Sequence, residues 1–150
     1  DLVILADWSE DALRVCRQNI RRCELTAQVS AARANALEPA PAALWDFDLI
    51  LCNPPYIPTG HRAFLPSDVV EHDPELALFS GADGLDAIRT VAAVARRLLR
   101  AGGLVVTEHD ESHAAGVRAV LAAAGFSEAA THPDLAGRDR FTSAVIGWNA

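Results

Sequence analysis

The sequence predicts an α/β domain built on a mainly parallel sheet. Three observations carry that expectation. Apolar runs alternate along the chain with segments of helical period, the order that lays helices over a parallel sheet. The runs are apolar at consecutive positions, the pattern of strands covered on both faces. Three of them end in a polar residue, Asp7, Asn53 and Glu108, and ligands of such sheets sit beyond the carboxyl ends of the strands.

Residues 2–6 form the first run, stopped by Asp7. Ser9 suits the N-cap of a following helix, with Glu10 and Asp11 in the first turn, where the helix dipole favours acids. Ala12, Leu13, Cys16 and Ile20 share one face of it, and arginines gather toward its end. Residues 27–32 are a weaker strand, and 38–43 (Glu-Pro-Ala-Pro-Ala-Ala) a loop. Residues 47–52 form the next strand, which Asn53-Pro54-Pro55-Tyr56 stops. Residues 57–83 are rich in Pro, His, Asp and Gly and keep no period. A stretch of that length in a compact domain is usually a lid or a binding loop. Residues 85–100 read as a helix with Ile88, Val91, Ala92, Ala95 and Leu99 inward, ended by Gly102-Gly103. Residues 104–107 form a buried strand that runs into Glu108. Residues 112–124 form a helix with Gly125 as its stop, and 128–132 and 142–148 are closing strands around a polar loop at 133–140.

At 150 residues the chain fits about one domain, and roughly two thirds of its unfolded surface can be buried. With 51% hydrophobic and 22% charged residues and a mean hydropathy of +0.13 it is not a disordered chain. It contains no apolar run of membrane-spanning length and no basic n-region before an apolar stretch, so neither a membrane span nor a signal peptide is expected. The net charge of −7 lacks the basic stripe of proteins that grip phosphates. All 13 basic residues are Arg, a compositional bias rather than chemistry. Cys16, Cys23 and Cys52 are odd in number and contain no C-x-x-C, so buried thiols of a reducing cytoplasm are expected, with no disulfide framework or zinc site. With no Met and a start inside an apolar run, the chain reads as a piece of a longer one.

The sharpest chemistry lies at 53–56. Two prolines after a buried strand remove two N–H donors and leave carbonyls unpaired by backbone. Asn53 adds one side-chain acceptor and two donors. Such a turn can hold a planar NH₂ group by both hydrogens, one on the Asn53 oxygen and one on the Pro54 carbonyl, with the Tyr56 ring covering it. Asp7 is either an acid that accepts from ribose hydroxyls or a residue favoured at a helix start. His109 and His113 are four apart among acids, but His109 follows a strand end, so no metal site is expected. His61 and His72 read as solvated loop residues, Arg138 and Arg140 as surface charge, and Trp45 and Trp148 as packing.

The segment Asp-Leu-Ile-Leu-Cys-Asn-Pro-Pro-Tyr-Ile-Pro at 48–58 resembles motif IV of the S-adenosylmethionine-dependent amino-methyltransferases. The continuation narrows the resemblance. Glu-His-Asp-Pro-Glu-Leu-Ala-Leu at 71–78, Gly-Ala-Asp-Gly-Leu-Asp at 81–86, Leu-Val-Val-Thr-Glu-His at 104–109 and Asp-Leu-Ala-Gly-Arg-Asp-Arg-Phe at 134–141 are similar to the release-factor glutamine methyltransferases. The similarity runs across nearly the whole chain.

That resemblance implies a Rossmann-like class I methyltransferase sheet, mostly parallel with an antiparallel C-terminal strand. It implies methyl transfer from S-adenosylmethionine to the side-chain amide nitrogen of the glutamine in the Gly-Gly-Gln loop of class 1 peptide chain release factors, in the cytoplasm. No nucleic acid or membrane partner is implied. Asn53, Pro54, Pro55 and Tyr56 match the substrate-binding motif, with Asn53 also beside the methionine part of the cofactor. Asp7 matches the acid on the cofactor ribose, and Trp8 lines the adenine pocket. Asn35, with Ala36 beside it, stands where relatives commonly carry an acid toward adenine. The family's first strand, glycine-rich loop and N-terminal helical domain have no counterpart in 1–150, so a partial methyltransferase domain is expected, short of a strand between those of Asp7 and Asn53. Two other readings stand beside this one: a DNA or RNA amino-methyltransferase, and a non-catalytic remnant.

Overall fold

A computed structural model describes residues 2–34 and 46–147. They fall into two units, divided after residue 41.

The first unit is a strand–helix–strand repeat: β1 (Val3–Asp7), α1 (Glu10–Arg22) and β2 (Val29–Arg33). The strands pair in parallel, from Val3 opposite Val29 to Asp7 opposite Arg33. Helix α1 starts where the sequence predicts, with the Ser9 hydroxyl accepting from the Ala12 amide at 3.3 Å. Leu13 and Ile20 are buried, the inward face that the spacing foretold. The ion pairs Glu10–Arg17 and Asp11–Arg14 lie on the exposed side, where such pairs contribute little.

The second unit carries a sheet of order β3-β4-β6-β5, formed by β3 (Phe47–Cys52), β4 (Leu99–Glu108), β5 (Phe126–Pro133) and β6 (Asp139–Ile146). β3 and β4 are parallel, and β6 runs antiparallel between β4 and β5. The mostly parallel sheet with one antiparallel C-terminal strand is therefore present. Helices α4 (Asp86–Leu98) and α5 (Ala114–Ala123) supply Ile88, Ala92, Ala95, Val117 and Leu121 to one core with Val105, Phe126, Ala144 and Ile146.

Three expectations change. The helix predicted over 85–100 gives way to strand at Leu99, which pairs with Phe47 and stays buried. Gly102 and Gly103 therefore lie within β4, not after a helix. The apolar runs are not covered on both faces: Ile50 packs on the core, while Leu49 and Leu51, pointing the other way, are 46% and 68% exposed. Val3 and Leu5 of β1 are exposed as well. Last, the 57–83 stretch is not structureless. It holds a 3-10 turn (Thr59–Phe64), α2 (Ser67–His72) and α3 (Glu75–Leu78). Its neck is closed where Ile57 bridges Phe79, with Ile57 N–H on Leu78 O at 2.9 Å and Ser80 N–H on Ile57 O at 2.9 Å.

The neck is pinned again at Asp83, which accepts from the Leu85 amide at 3.1 Å and pairs with Arg89 at 2.6 Å. Arg89 first, then that amide, hold the Asp83 carboxyl down at about 2, against an ordinary 3.8. A lowered carboxyl adds stability above its unfolded value and loses it as pH falls. The neck is thus expected to be firm above pH 3.8 and to loosen as pH drops to about 2. The Leu85 amide proton resonance should follow that transition, and Asp83→Asn should abolish it.

Candidate functional site

Asp7 ends β1, and its Oδ1 accepts from the Ser9 amide at 2.7 Å. That bond fixes the carboxylate at the mouth of the strand while leaving it exposed. Trp8 follows, half exposed, with the Arg33 guanidinium stacked 4.5 Å from its ring centroid. Such a cation over an indole adds about 0.5–1 kcal/mol at an exposed position. Arg33 ends the neighbouring strand opposite Asp7, so the sheet register places it there. Sequence reasoning missed it, because the register of β1 and β2 is not legible from either strand alone. Asn35 and Ala36 lie outside the described residues, as do Trp45 and Trp148.

In the second unit, Asn53-Pro54-Pro55-Tyr56 leaves β3 as irregular chain between the strand and the Ile57 bridge. Asn53 is exposed, Pro54 is buried, and Pro55 and Tyr56 are partly buried. The turn therefore presents an exposed side-chain amide on a backbone anchored by proline. β4 is parallel to β3, with Cys52 opposite Thr107, so both strands end together. Glu108 closes β4, and its charge acts on Tyr56. Burial, foremost, and the Glu108 and Asp110 charges raise the Tyr56 pKa, with Arg140 opposing them. Burial also raises the Cys52 thiol, so Cys52 is an inert packing residue rather than a nucleophile.

Gly84 packs against this turn with φ +76°. A Cβ there would stand 2.5 Å from the Tyr56 carbonyl oxygen and 2.7 Å from His113 Cε1. The neck of the 57–83 stretch thus rests on the backbone of the motif itself. His109 is no metal ligand in this fold: its Nδ1 meets the Asp110 carbonyl at 2.8 Å and its Nε2 the Thr142 hydroxyl at 2.8 Å. Among the described residues no group of His, Cys, Asp and Glu gathers as a metal site. Arg138 and Arg140 do not stand as free surface charge, since both turn to Asp134, at 3.1 and 3.9 Å. Their pairing, with the Asp134 Oδ1 accepting from the Ala136 and Arg138 amides, shapes the β5–β6 turn.

Tyr56 is the only tyrosine in the chain, so tyrosinate absorbance reads it alone. Its midpoint is expected above the ordinary 10.0, and Glu108→Gln should lower it by removing the facing charge. A raised folded pKa adds stability below the unfolded value and loses it at higher pH, so this contribution fades as pH climbs past 10.0.

No family model matches the chain. Curated proteins do. The chain is 42% identical over 139 residues to a release factor glutamine methyltransferase of Streptomyces coelicolor, covering 92% of the chain and 48% of that protein. It is 39% identical over 142 residues to the protein of the same name in Deinococcus radiodurans, covering 95% and 49%. The resemblance drawn from the motifs holds along nearly the whole chain, and the chain spans about half the length of the curated relatives it matches. Among solved structures, a methyltransferase from Pyrococcus furiosus superposes with a TM-score of 0.66 at 16% identity, covering 97% of the chain and 63% of that chain. A TehB-like SAM-dependent methyltransferase from Corynebacterium glutamicum gives 0.55 at 16%, covering 97% and 67%. At that identity they show the fold, which is the class I methyltransferase fold. No helix of the described residues is long and apolar enough to cross a membrane.

Proposed function

We propose that the chain is part of a protein-glutamine methyltransferase that acts on the side-chain amide of the Gly-Gly-Gln glutamine in class 1 release factors. The observation that carries the reading is the Asn53–Tyr56 turn at the end of β3, with Asn53 exposed beside a buried Pro54. The names of the curated relatives supply the substrate. On this reading the reaction is cytoplasmic, with no nucleic acid and no membrane involved.

The donor set suits S-adenosylmethionine in each unit taken by itself. In the first, the held Asp7 carboxylate suits a ribose diol, and Trp8 offers a flat apolar face for a purine. In the second, the Asn53 amide offers polar atoms to the amino-acid end. When bound, that cofactor supplies an electrophilic sulfonium methyl group.

An amide nitrogen is a weak nucleophile, because its lone pair is delocalised into the carbonyl. The Asn53 oxygen accepts one N–H of the substrate amide and the Pro54 carbonyl the other. Two fixed acceptors turn the lone pair in one direction and draw electron density toward nitrogen. The Tyr56 ring covers the amide and keeps water off it. Catalysis of this kind is positioning and matched dipoles, with no strong base. The substrate nitrogen sheds its extra proton to water as product leaves.

The test is transfer of labelled methyl groups from S-adenosylmethionine to a purified release factor, with DNA and RNA as competing acceptors. Label on the release factor, lost when its Gly-Gly-Gln glutamine is replaced, is the expected result. Label on nucleic acid instead would overturn the substrate. Titration of S-adenosylhomocysteine into the chain separates a folded chain that binds from one that does not.

A further inference from the structure

Exposed leucines are ordinary on a protein surface, so it is their placement that informs. β6 opens at the end of β4, with Phe141 opposite Glu108, and β5 closes there, with Pro133 opposite Asp139. β3 runs parallel to β4. The β5–β6 turn therefore stands at the same end of the sheet as the Asn53–Tyr56 turn, and its Leu135 is wholly exposed. The stretch 57–83 leaves that end at Ile57 and is back at it by Gly84, against the Tyr56 carbonyl. It holds Phe64 and Leu76 out to solvent, 82% and 81% exposed.

An apolar side chain on a mobile loop gains little on binding, because ordering the loop costs entropy. The Leu135 turn is already ordered. Asp134 Oδ1 accepts from the Ala136 amide at 2.8 Å and the Arg138 amide at 3.0 Å, and its Oδ2 pairs with Arg138 at 3.1 Å. The Asp134 N–H donates to Arg138 O at 2.8 Å, and the Gly137 N–H to Asp134 O at 2.9 Å. None of these bonds uses the Leu135 side chain, which is left to bury against a partner.

Distance sets the size of that partner. In the order β3-β4-β6-β5, strands about 4.8 Å apart put the hairpin about 10–14 Å from β3. One amide side chain does not span that gap, whereas the footprint of a folded protein does. Charge sets its sign. With histidines neutral, residues 57–83 hold five acids against Arg62 alone, 108–113 hold three acids and no arginine, and 133–140 balance two against two. That excess of seven equals the net charge of −7 of the whole chain, so the remaining segments together are neutral. The loops around the exposed apolar residues repel phosphate and draw a basic surface.

We propose that Phe64, Leu76 and Leu135 are docking residues, which seat a basic surface of the protein whose glutamine enters the Asn53–Tyr56 turn. The identity of that protein as a methyl acceptor rests on the methyltransferase reading, whereas docking is read by binding.

The test uses the 150-residue chain, a purified release factor, and a capped Gly-Gly-Gln tripeptide, whose glycines reach about 7 Å past the glutamine and so stop short of the hairpin. Leu135→Ser is expected to raise Kd and KM for the release factor about ten- to a hundred-fold, the scale of burying one leucine side chain. Saturated kcat, the rate with the tripeptide, the affinity for S-adenosylhomocysteine and the melting curve are expected to stay as they were. Phe64→Ser and Leu76→Ser act in the same direction, whereas Val15→Ser, an exposed apolar change on α1, does not. Added salt is expected to weaken binding of the release factor. Unchanged release-factor binding in the three variants overturns the proposal. So does a wild-type dimer that Leu135→Ser dissociates in sedimentation, which assigns the face to a second copy. A salt dependence shown by S-adenosylmethionine and not by the release factor assigns the charge to the sulfonium and overturns it as well. A wild-type chain that binds the release factor through these residues and transfers no methyl group defeats the functional reading and upholds the docking. Transfer that ignores all three substitutions does the reverse.

Discussion

Replacing Asn53 by Ala is expected to lower kcat/KM for methyl transfer by about 10²–10³-fold, the scale found when one preorganised polar group at a reacting centre is removed. That corresponds to about 3–4 kcal/mol of transition-state stabilisation. The fold should hardly notice. Asn53 is exposed, and exposed substitutions away from caps and turn strain usually stay within about 0.5 kcal/mol. The loss therefore belongs to chemistry, and equal melting curves with unequal rates are the signature to look for. A second variant separates the two services the side chain offers. Asn53→Asp keeps an acceptor oxygen in place but removes the NH₂ donor. If the substrate amide is held by the acceptor, as proposed, Asn53→Asp retains more activity than Asn53→Ala. Equal losses would assign the work to the donor, and rates unchanged in both variants would remove Asn53 from the site.

What was legible in the sequence depended on how local its cause was. Ser9 capping α1 and Gly125 ending α5 with φ +89° follow from a few neighbouring residues, and both were readable. So was the motif at 53–56, whose chemistry resides in adjacent residue types. Helices α2 and α3 were hidden because six and four residues are too few to display a period of 3.6. Each starts after a proline at the N-cap, Pro66 and Pro74, and a proline signals a loop as readily as a helix start. Leu99 suits a helix as well as a strand, because a buried leucine fits either period. The pairing with Phe47 decides it, and that is a fact about another strand. The partners of the site residues were out of reach for the same reason. Arg33 reaches Trp8 and Thr142 reaches His109 through parallel and antiparallel registers, neither of which is written in any single segment.

The largest effect on the fold is expected at Gly84. It sits at φ +76°, where any residue with a Cβ costs about 1–2 kcal/mol. The space is closed as well. An added methyl would lie 2.5 Å from a backbone oxygen, that of Tyr56, and 2.7 Å from the His113 ring. A flexible side-chain tip could yield, but the carbonyl belongs to the proline-stiffened turn. Displacing it adds a repacking cost of about 1–3 kcal/mol, so Gly84→Ala should destabilise by about 2–5 kcal/mol in all. Two other glycines calibrate this. Gly60 has no neighbour within 4 Å of a built Cβ and no positive φ, so Gly60→Ala should be close to neutral. Gly137 has φ +81° but open space, so Gly137→Ala should show the backbone cost alone. Melting temperatures should therefore fall least for Gly60→Ala, more for Gly137→Ala and most for Gly84→Ala. The order tests the packing of the loop neck on the motif: if Gly84→Ala costs no more than Gly137→Ala, the neck does not rest on the Tyr56 carbonyl. If it costs more, the same displacement should reach the Pro54 carbonyl two residues upstream, and the variant that folds least well should also lose the geometry that holds the substrate amide.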